Sequence, residues 1–218
     1  MVQVFRPRSN TLSRFTLLGA LVLMVLLASV SVVAMRSSYA TRVGNPLPQP
    51  VPFTHEHHVS IIGIDCRYCH TSVETSSFAG IPPTETCMNC HSQIWSTSSM
   101  LAPVRDSYRT GRPLSWNRVN DLPDFVYFDH HIHVRKGVGC VTCHGRVDRM
   151  PLTWKAETLQ MSWCIDCHRD PARFLRPVSE VFDMDWRPDE DQRLLGERLM
   201  EENHVRTRGL TDCSTCHR

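Results

Sequence analysis

At 218 residues the chain allows one domain or two small ones, and its formal charge is +2. The sequence carries no glycine-rich phosphate loop, no catalytic-triad pattern and no nucleic-acid-binding pattern. Among the 24 basic residues only Lys136 and Lys155 are lysines. The arginines that make up the rest suit paired contacts with carboxylates, although arginine-rich codon usage would leave the same trace.

Residues 1–14, with Arg6, Arg8 and Arg14, read as a polar N-terminus on the cytoplasmic side. An uncharged run of Leu, Val, Ala and Met follows, and residues 15–36 are expected to form one transmembrane helix. A cleaved signal peptide is the alternative, with Ser38-Tyr39-Ala40 as a cleavage-like site, but its apolar region is usually only ~7–15 residues. Residues 37–52 contain alternating prolines and read as an extended, stiff linker. Residues 53–218 form the remaining domain.

All ten cysteines fall in five C-x-x-C-H motifs: Cys66/Cys69/His70, Cys87/Cys90/His91, Cys140/Cys143/His144, Cys164/Cys167/His168 and Cys213/Cys216/His217. This is the attachment pattern of c-type haem, two thioethers and one axial imidazole. Zinc ribbons also pair cysteines but need no histidine directly after each pair. A disulfide framework has little reason to repeat a two-residue gap five times. Five covalently attached haem c groups are therefore expected. So many apolar rings in so short a chain imply short helices and irregular segments wrapped round five haems, with little or no sheet. The haem carboxylates would also make the mature protein mildly acidic. Covalent haem is attached on the outer side of the bacterial inner membrane, so the haem domain is expected on the periplasmic side of a single-pass anchor.

Phe53-Thr-His55-Glu-His57-His58 and Phe128-Asp-His130-His131-Ile-His133 share the pattern F-x-H-x-x-H. The first haem cysteine lies eight residues after His58 and seven after His133, and a second motif follows in each copy. The repeat units are 53–91 and 128–168, with a partial unit at 204–218. Histidines three apart on a helical turn cannot comfortably bind opposite faces of one iron, so His55 and His58, like His130 and His133, are expected to serve two neighbouring irons. His204 precedes the fifth motif and is its candidate ligand. Met161, three residues before Cys164, is the rival, followed by Met150 and Met100, each of which core packing would also explain. His57 and His131 have no counterpart in the other copy and read as spares near haem carboxylates or solvent. Residues 92–127 form an insertion, 171–188 an extended arm, and 189–202 a short helix leading to His204.

The F-x-H-x-x-H pattern ahead of C-x-x-C-H resembles the c7 and class III multihaem cytochromes. The order of the five motifs, the single anchor and the run Met161-Ser-Trp-Cys-Ile-Asp-Cys-His-Arg-Asp-Pro look closer still to the pentahaem cytochrome c subunits of alternative complex III. That resemblance implies an electron-relay subunit of a menaquinol-oxidising complex. Its expected partners are the membrane, iron–sulfur and quinol-binding membrane subunits, and a periplasmic cytochrome c or blue-copper acceptor. Most haems would be bis-histidine and one could be His/Met. The alternative is a stand-alone membrane-anchored quinol dehydrogenase of the kind that partners multihaem nitrite reductases, which would need a quinol site of its own.

Overall fold

The computed structural model describes residue 6 and residues 8–217; the remaining positions of the expected cytoplasmic N-terminus, and Arg218 of the partial unit, lie outside the described residues. The chain divides into two compact units, residues 1–43 and 44–218.

The first unit is built on helix α1, Ser9–Arg36, with the turn α2, Ser38–Thr41, behind it. Helix α1 starts before the apolar run, at Ser9. Its 28 residues span about 42 Å at ~1.5 Å per residue, more than a bilayer core of ~30 Å requires. None of its side chains is buried. Four of its hydroxyls bond within the helix: Ser13 donates to Ser9 O, Thr16 to Ser13 O, Ser29 to Val25 O and Ser31 to Leu27 O. A helix in lipid must dispose of its polar atoms in this way. It is long and apolar enough to cross a membrane, a property that an N-terminal signal sequence would share.

The second unit contains no sheet among the described residues, only two isolated antiparallel bridges, Pro46 with Trp154 and Val138 with Leu175. Its elements are short: α3 Cys66–Cys69, α4 Thr84–His91, α5 Ala102–Thr110, α6 His130–Arg135, α7 Cys140–His144, α8 Met161–Arg169, α9 Gln192–Glu202 and α10 Cys213–Cys216. Four of these carry haem motifs from their first residues, or close to them, and α4 ends on one.

The proline segment is extended but not a free spacer. Gly44 N donates to Lys155 O, and Gln49 and Asn117 exchange hydrogen bonds. Val51 is buried with Leu101 and Val104. The segment is therefore strapped along the domain, and the insertion supplies its partner through α5, whose Ser107 hydroxyl meets Thr84 Oγ1 at 2.7 Å.

Residues 171–188 also differ from an extended arm. Two 3₁₀ turns, Pro171–Arg173 and Val178–Glu180, fold them into the core, and Leu175 and Val181 are almost fully buried. Helix α9 lies across the first turn. Asp191 caps it by accepting from the amides of Arg193 and Leu194, and Leu195 and Leu199 are buried beside Leu175. The apolar clusters are small and separate, and two of them end on motif cysteines, Cys87 and Cys140.

Gly137 joins α6 to α7 with φ at 86°, and a Cβ there would stand 2.3 Å from Arg176 O. Arg176 N in turn donates to Gly137 O. Gly137→Ala therefore meets both a strained backbone and a clash with main chain, and should cost at least ~2 kcal/mol. Guanidinium unfolding measures this; an unchanged midpoint would contradict the packing described.

Candidate functional site

Each copy of F-x-H-x-x-H is organised by its phenylalanine. The Phe128 ring meets His130 edge-on, with centroids 4.7 Å apart at 88°, and stacks on His133 at 4.6 Å and 26°. Phe53 repeats this with His55, at 4.9 Å and 89°, and His58, at 4.5 Å and 22°. One phenyl ring thus holds two imidazoles in nearly perpendicular planes, a common preference of packed aromatic rings.

Hydrogen bonds at Nδ1 then fix each ring. His133 donates to Asp129 O at 2.7 Å, and His58 to Thr54 O at 2.8 Å, the equivalent position. A carbonyl can only accept, so Nδ1 carries the proton and Nε2 keeps its lone pair for a metal. Helix α6 starts at the Asp129 cap, whose Oδ1 accepts from His131 N. In the first copy the corresponding turn, Glu56–Ile61, is a π-helix. A π turn accommodates one extra residue, which accounts for the spacing of eight against seven.

The paired histidines face different motifs. His130 stands opposite His144 with centroids 6.5 Å apart and planes 8° from parallel. His133 stands opposite His168 at 6.2 Å and 20°, and His58 opposite His91 at 6.2 Å and 71°. Two imidazoles on opposite sides of one metal, with bonds of ~2 Å and ~1.1 Å from nitrogen to ring centre, would have centroids ~6.3 Å apart. The three pairs match that spacing. The histidine whose charge weighs most on His55 is His70.

The ligand chemistry is also suitable. Burial, with smaller contributions from His70, His58 and His144, pushes His55 down to about 4. Burial and then His130 and His70 push His144 down to about 4. His133 is likewise lowered, chiefly by burial. These imidazoles are neutral at neutral pH, the form that binds metal. None of the ten cysteines is paired in a disulfide. Among the described residues no group of three or more His, Cys, Asp and Glu converges on one point. Opposed imidazoles with a neighbouring cysteine pair fit a metal held in a planar ring better than a bare tetrahedral ion. Beside Cys167, a cleft of about 390 Å³ has Trp163 and Phe174 as apolar lining, and Arg169 and Arg173 able to meet carboxylates.

The two repeats fasten one another. His130 reaches back to the loop after His70, donating from both its backbone N and Nδ1 to Ser77 O, at 3.1 and 2.9 Å. His70 Nδ1 donates within the same loop, to Gly80 O at 2.7 Å. His55 reaches forward to the segment after His144, where its Nδ1 meets Thr153 Oγ1 at 3.0 Å. Glu56 N and the Ser60 hydroxyl also bond there, to Met150 O and Asp148 O. These acceptors carry no motif, and the sequence offered no signal for them.

The cysteines give the neighbour relations. After burial, the charge that most raises the Cys69 thiol is that of Cys87. For Cys140, pushed up to about 11, it is Cys66. For Cys143, pushed up to about 12, it is Cys167, and for Cys164 it is Cys216.

The fifth motif stands apart. His217 Nδ1 donates to Phe125 O at 3.0 Å, and its ring neighbour is Phe125 at 5.8 Å. His204 follows α9 with φ at 51° and lines a surface cleft with Glu197, Met200, Glu201, Val205 and Arg206. Met161 opens α8, 69% exposed and one turn before Cys164. Met150 is a core residue, 2% exposed, and Met100 lies exposed in a 3₁₀ turn. His57 stacks on Trp95, and His131 Nδ1 bonds to the Asp129 carboxylate at 2.6 Å.

Residues 126–218 match the family described as cytochrome c7 and related cytochrome c. The chain is also similar to the protein named menaquinone reductase, multiheme cytochrome c subunit, of Nitratidesulfovibrio vulgaris. The two are 30% identical over 141 residues, covering 55% of this chain and 67% of the relative.

The shared phenylalanine has a measurable consequence. Phe128→Ala should cost ~2–3 kcal/mol, below the ~3–5 kcal/mol of a fully buried ring. It should also perturb the low-spin spectra of two haems together. A change confined to one haem in the electron paramagnetic resonance spectrum would contradict the wedge geometry.

Proposed function

The chain belongs to the multihaem cytochromes c related to cytochrome c7, and from that premise we propose that it is a membrane-anchored relay carrying electrons along five haems. The family's cofactor is covalently bound haem c, which supplies reversible one-electron chemistry. Each C-x-x-C-H holds one such group, through Cys66/Cys69, Cys87/Cys90, Cys140/Cys143, Cys164/Cys167 and Cys213/Cys216, with His70, His91, His144, His168 and His217 as the first axial ligands. His55 completes the site of His70, His58 that of His91, His130 that of His144, and His133 that of His168. The fifth site takes Met161 or His204; the closeness of Cys164 to Cys216 favours Met161.

The observation that carries this reading is the splayed histidine pair. One turn of chain presents Nε2 to two different motifs, so neighbouring sites share a support and cannot drift apart. Together with the cysteine neighbours, this supports a linear order. It begins at the motif of Cys87, passes through those of Cys66, Cys140 and Cys164, and ends at that of Cys213. The terminal motifs contain the exposed cysteines Cys90 and Cys213, which suits exchange with partners at the two ends.

Helix α1 serves in this proposal as a retained anchor in the bacterial inner membrane, with residues 53–218 on the periplasmic side. The relative's name ties that protein to menaquinone, which supports quinone-binding membrane partners; an iron–sulfur subunit beside them is part of the same proposal. In the alternative complex III arrangement electrons run from menaquinol towards a periplasmic cytochrome c or blue-copper protein. The relative's name supports a second reading, the same relay run towards menaquinone. The partners' potentials would set the direction, because nothing in the ligand geometry favours one end.

The histidine pair provides the test. In the mature protein, His130→Ala and His133→Ala should each convert one haem to high spin, and the double variant should convert two. A double variant with a single high-spin haem would mean that both histidines serve one iron.

A further inference from the structure

His144 differs from the other motif histidines in what fixes its second nitrogen. His70, His91, His168 and His217 bond through Nδ1 to the backbone carbonyls of Gly80, Ile94, Leu210 and Phe125. His144 instead meets a side chain, the amide of Asn120, whose Nδ2 lies 3.0 Å from Nδ1. The other end of that amide, Oδ1, is buried without a hydrogen-bond partner. If Nε2 is on iron, Nδ1 carries a proton and needs an acceptor. An NH2 group facing it would set donor against donor. Turned end for end, the amide keeps its shape and places an acceptor on Nδ1–H, and the NH2 group takes the buried position.

We propose that Asn120 is the positioning residue of the haem site at Cys140 and Cys143, its Oδ1 accepting the Nδ1 proton of His144. This rests on His144 being an axial ligand. The bond holds the imidazole nearly parallel to His130, at 8°. It also sets how much electron density the ring gives to iron, since a stronger acceptor at Nδ1 makes the ligand more basic and favours the ferric state. A neutral amide oxygen there imitates the backbone carbonyls used at the other four motifs. Being a side chain, it is also the acceptor a substitution can change. The site is third in the proposed order, so its potential governs passage between the two halves of the relay.

The experiment is an optical redox titration of the full-length protein with its haems. Asn120→Asp should move one redox step to lower potential, and Asn120→Leu should move the same step to higher potential, with the other steps unchanged. A carboxylate also lowers the potential by its charge alone, so the upward shift in the uncharged Asn120→Leu carries the hydrogen-bond assignment. His144→Ala is the control and should make one haem high-spin; if every haem stays low-spin, the ligand assignment itself fails. With that control positive, unmoved steps or shifts of the same sign in both variants would overturn the role of Asn120. If Asn120→Leu loses haem, Asn120→Ala, also uncharged and without an acceptor, takes its place: an upward shift supports the role, and an unmoved step overturns it.

Discussion

One phenyl ring holding two imidazoles at right angles is the constraint on which this architecture depends. Phe128 stacks on His133 and meets His130 edge-on, and Phe53 does the same for His58 and His55. Rings three residues apart on one helical turn, both packed on the same phenyl ring, cannot approach one iron from opposite sides. Each must find its own counterpart, and His130 finds His144 while His133 finds His168. The repeat thereby turns a local aromatic preference into a sequence of adjacent sites. Distance between sites is then set by covalent geometry along one helical turn, which is stiffer than packing between separate elements.

A second constraint is the mutual fastening of the repeats. The loop behind His70 fixes His130, and the segment behind His144 fixes His55. Neither repeat orients the first histidine of its pair alone. This matters because the protein's own core is thin: Val51, Leu101 and Val104 form one cluster, Val73, Val134 and Val181 another, and Leu175, Leu195 and Leu199 a third. Clusters of this size bury little apolar area by themselves. Haem rings attached between them would supply much of the missing interior, so stability and electron transfer would draw on the same contacts.

The legible parts of the sequence were those encoded locally. The apolar run announced α1, the five motifs announced the cysteine pairs, and the three-residue histidine spacing pointed to divergent partners. The difference of one residue between the copies was visible, but its resolution as a π turn at Glu56–Ile61 was not, because both spacings suit a helix. Long-range acceptors left no trace at all. Ser77 lies 53 residues from His130 and Thr153 lies 98 from His55. Residues 171–188 read as an extended arm because prolines break the helical period, yet Leu175 and Val181 are enough to bury them. Helix α9 leads to His204 as its pattern suggests, but the left-handed turn there sets the histidine in a cleft lined by the helix's own end.

The central claim is that adjacent histidines of one turn belong to different irons. It is tested most directly by an experimental density map of the mature, haem-loaded protein that resolves the axial ligands. The account predicts His130 and His144 on opposite faces of one iron, and His133 and His168 on opposite faces of the next. A map with His130 and His133 on the same iron, or with their counterparts exchanged, would contradict it.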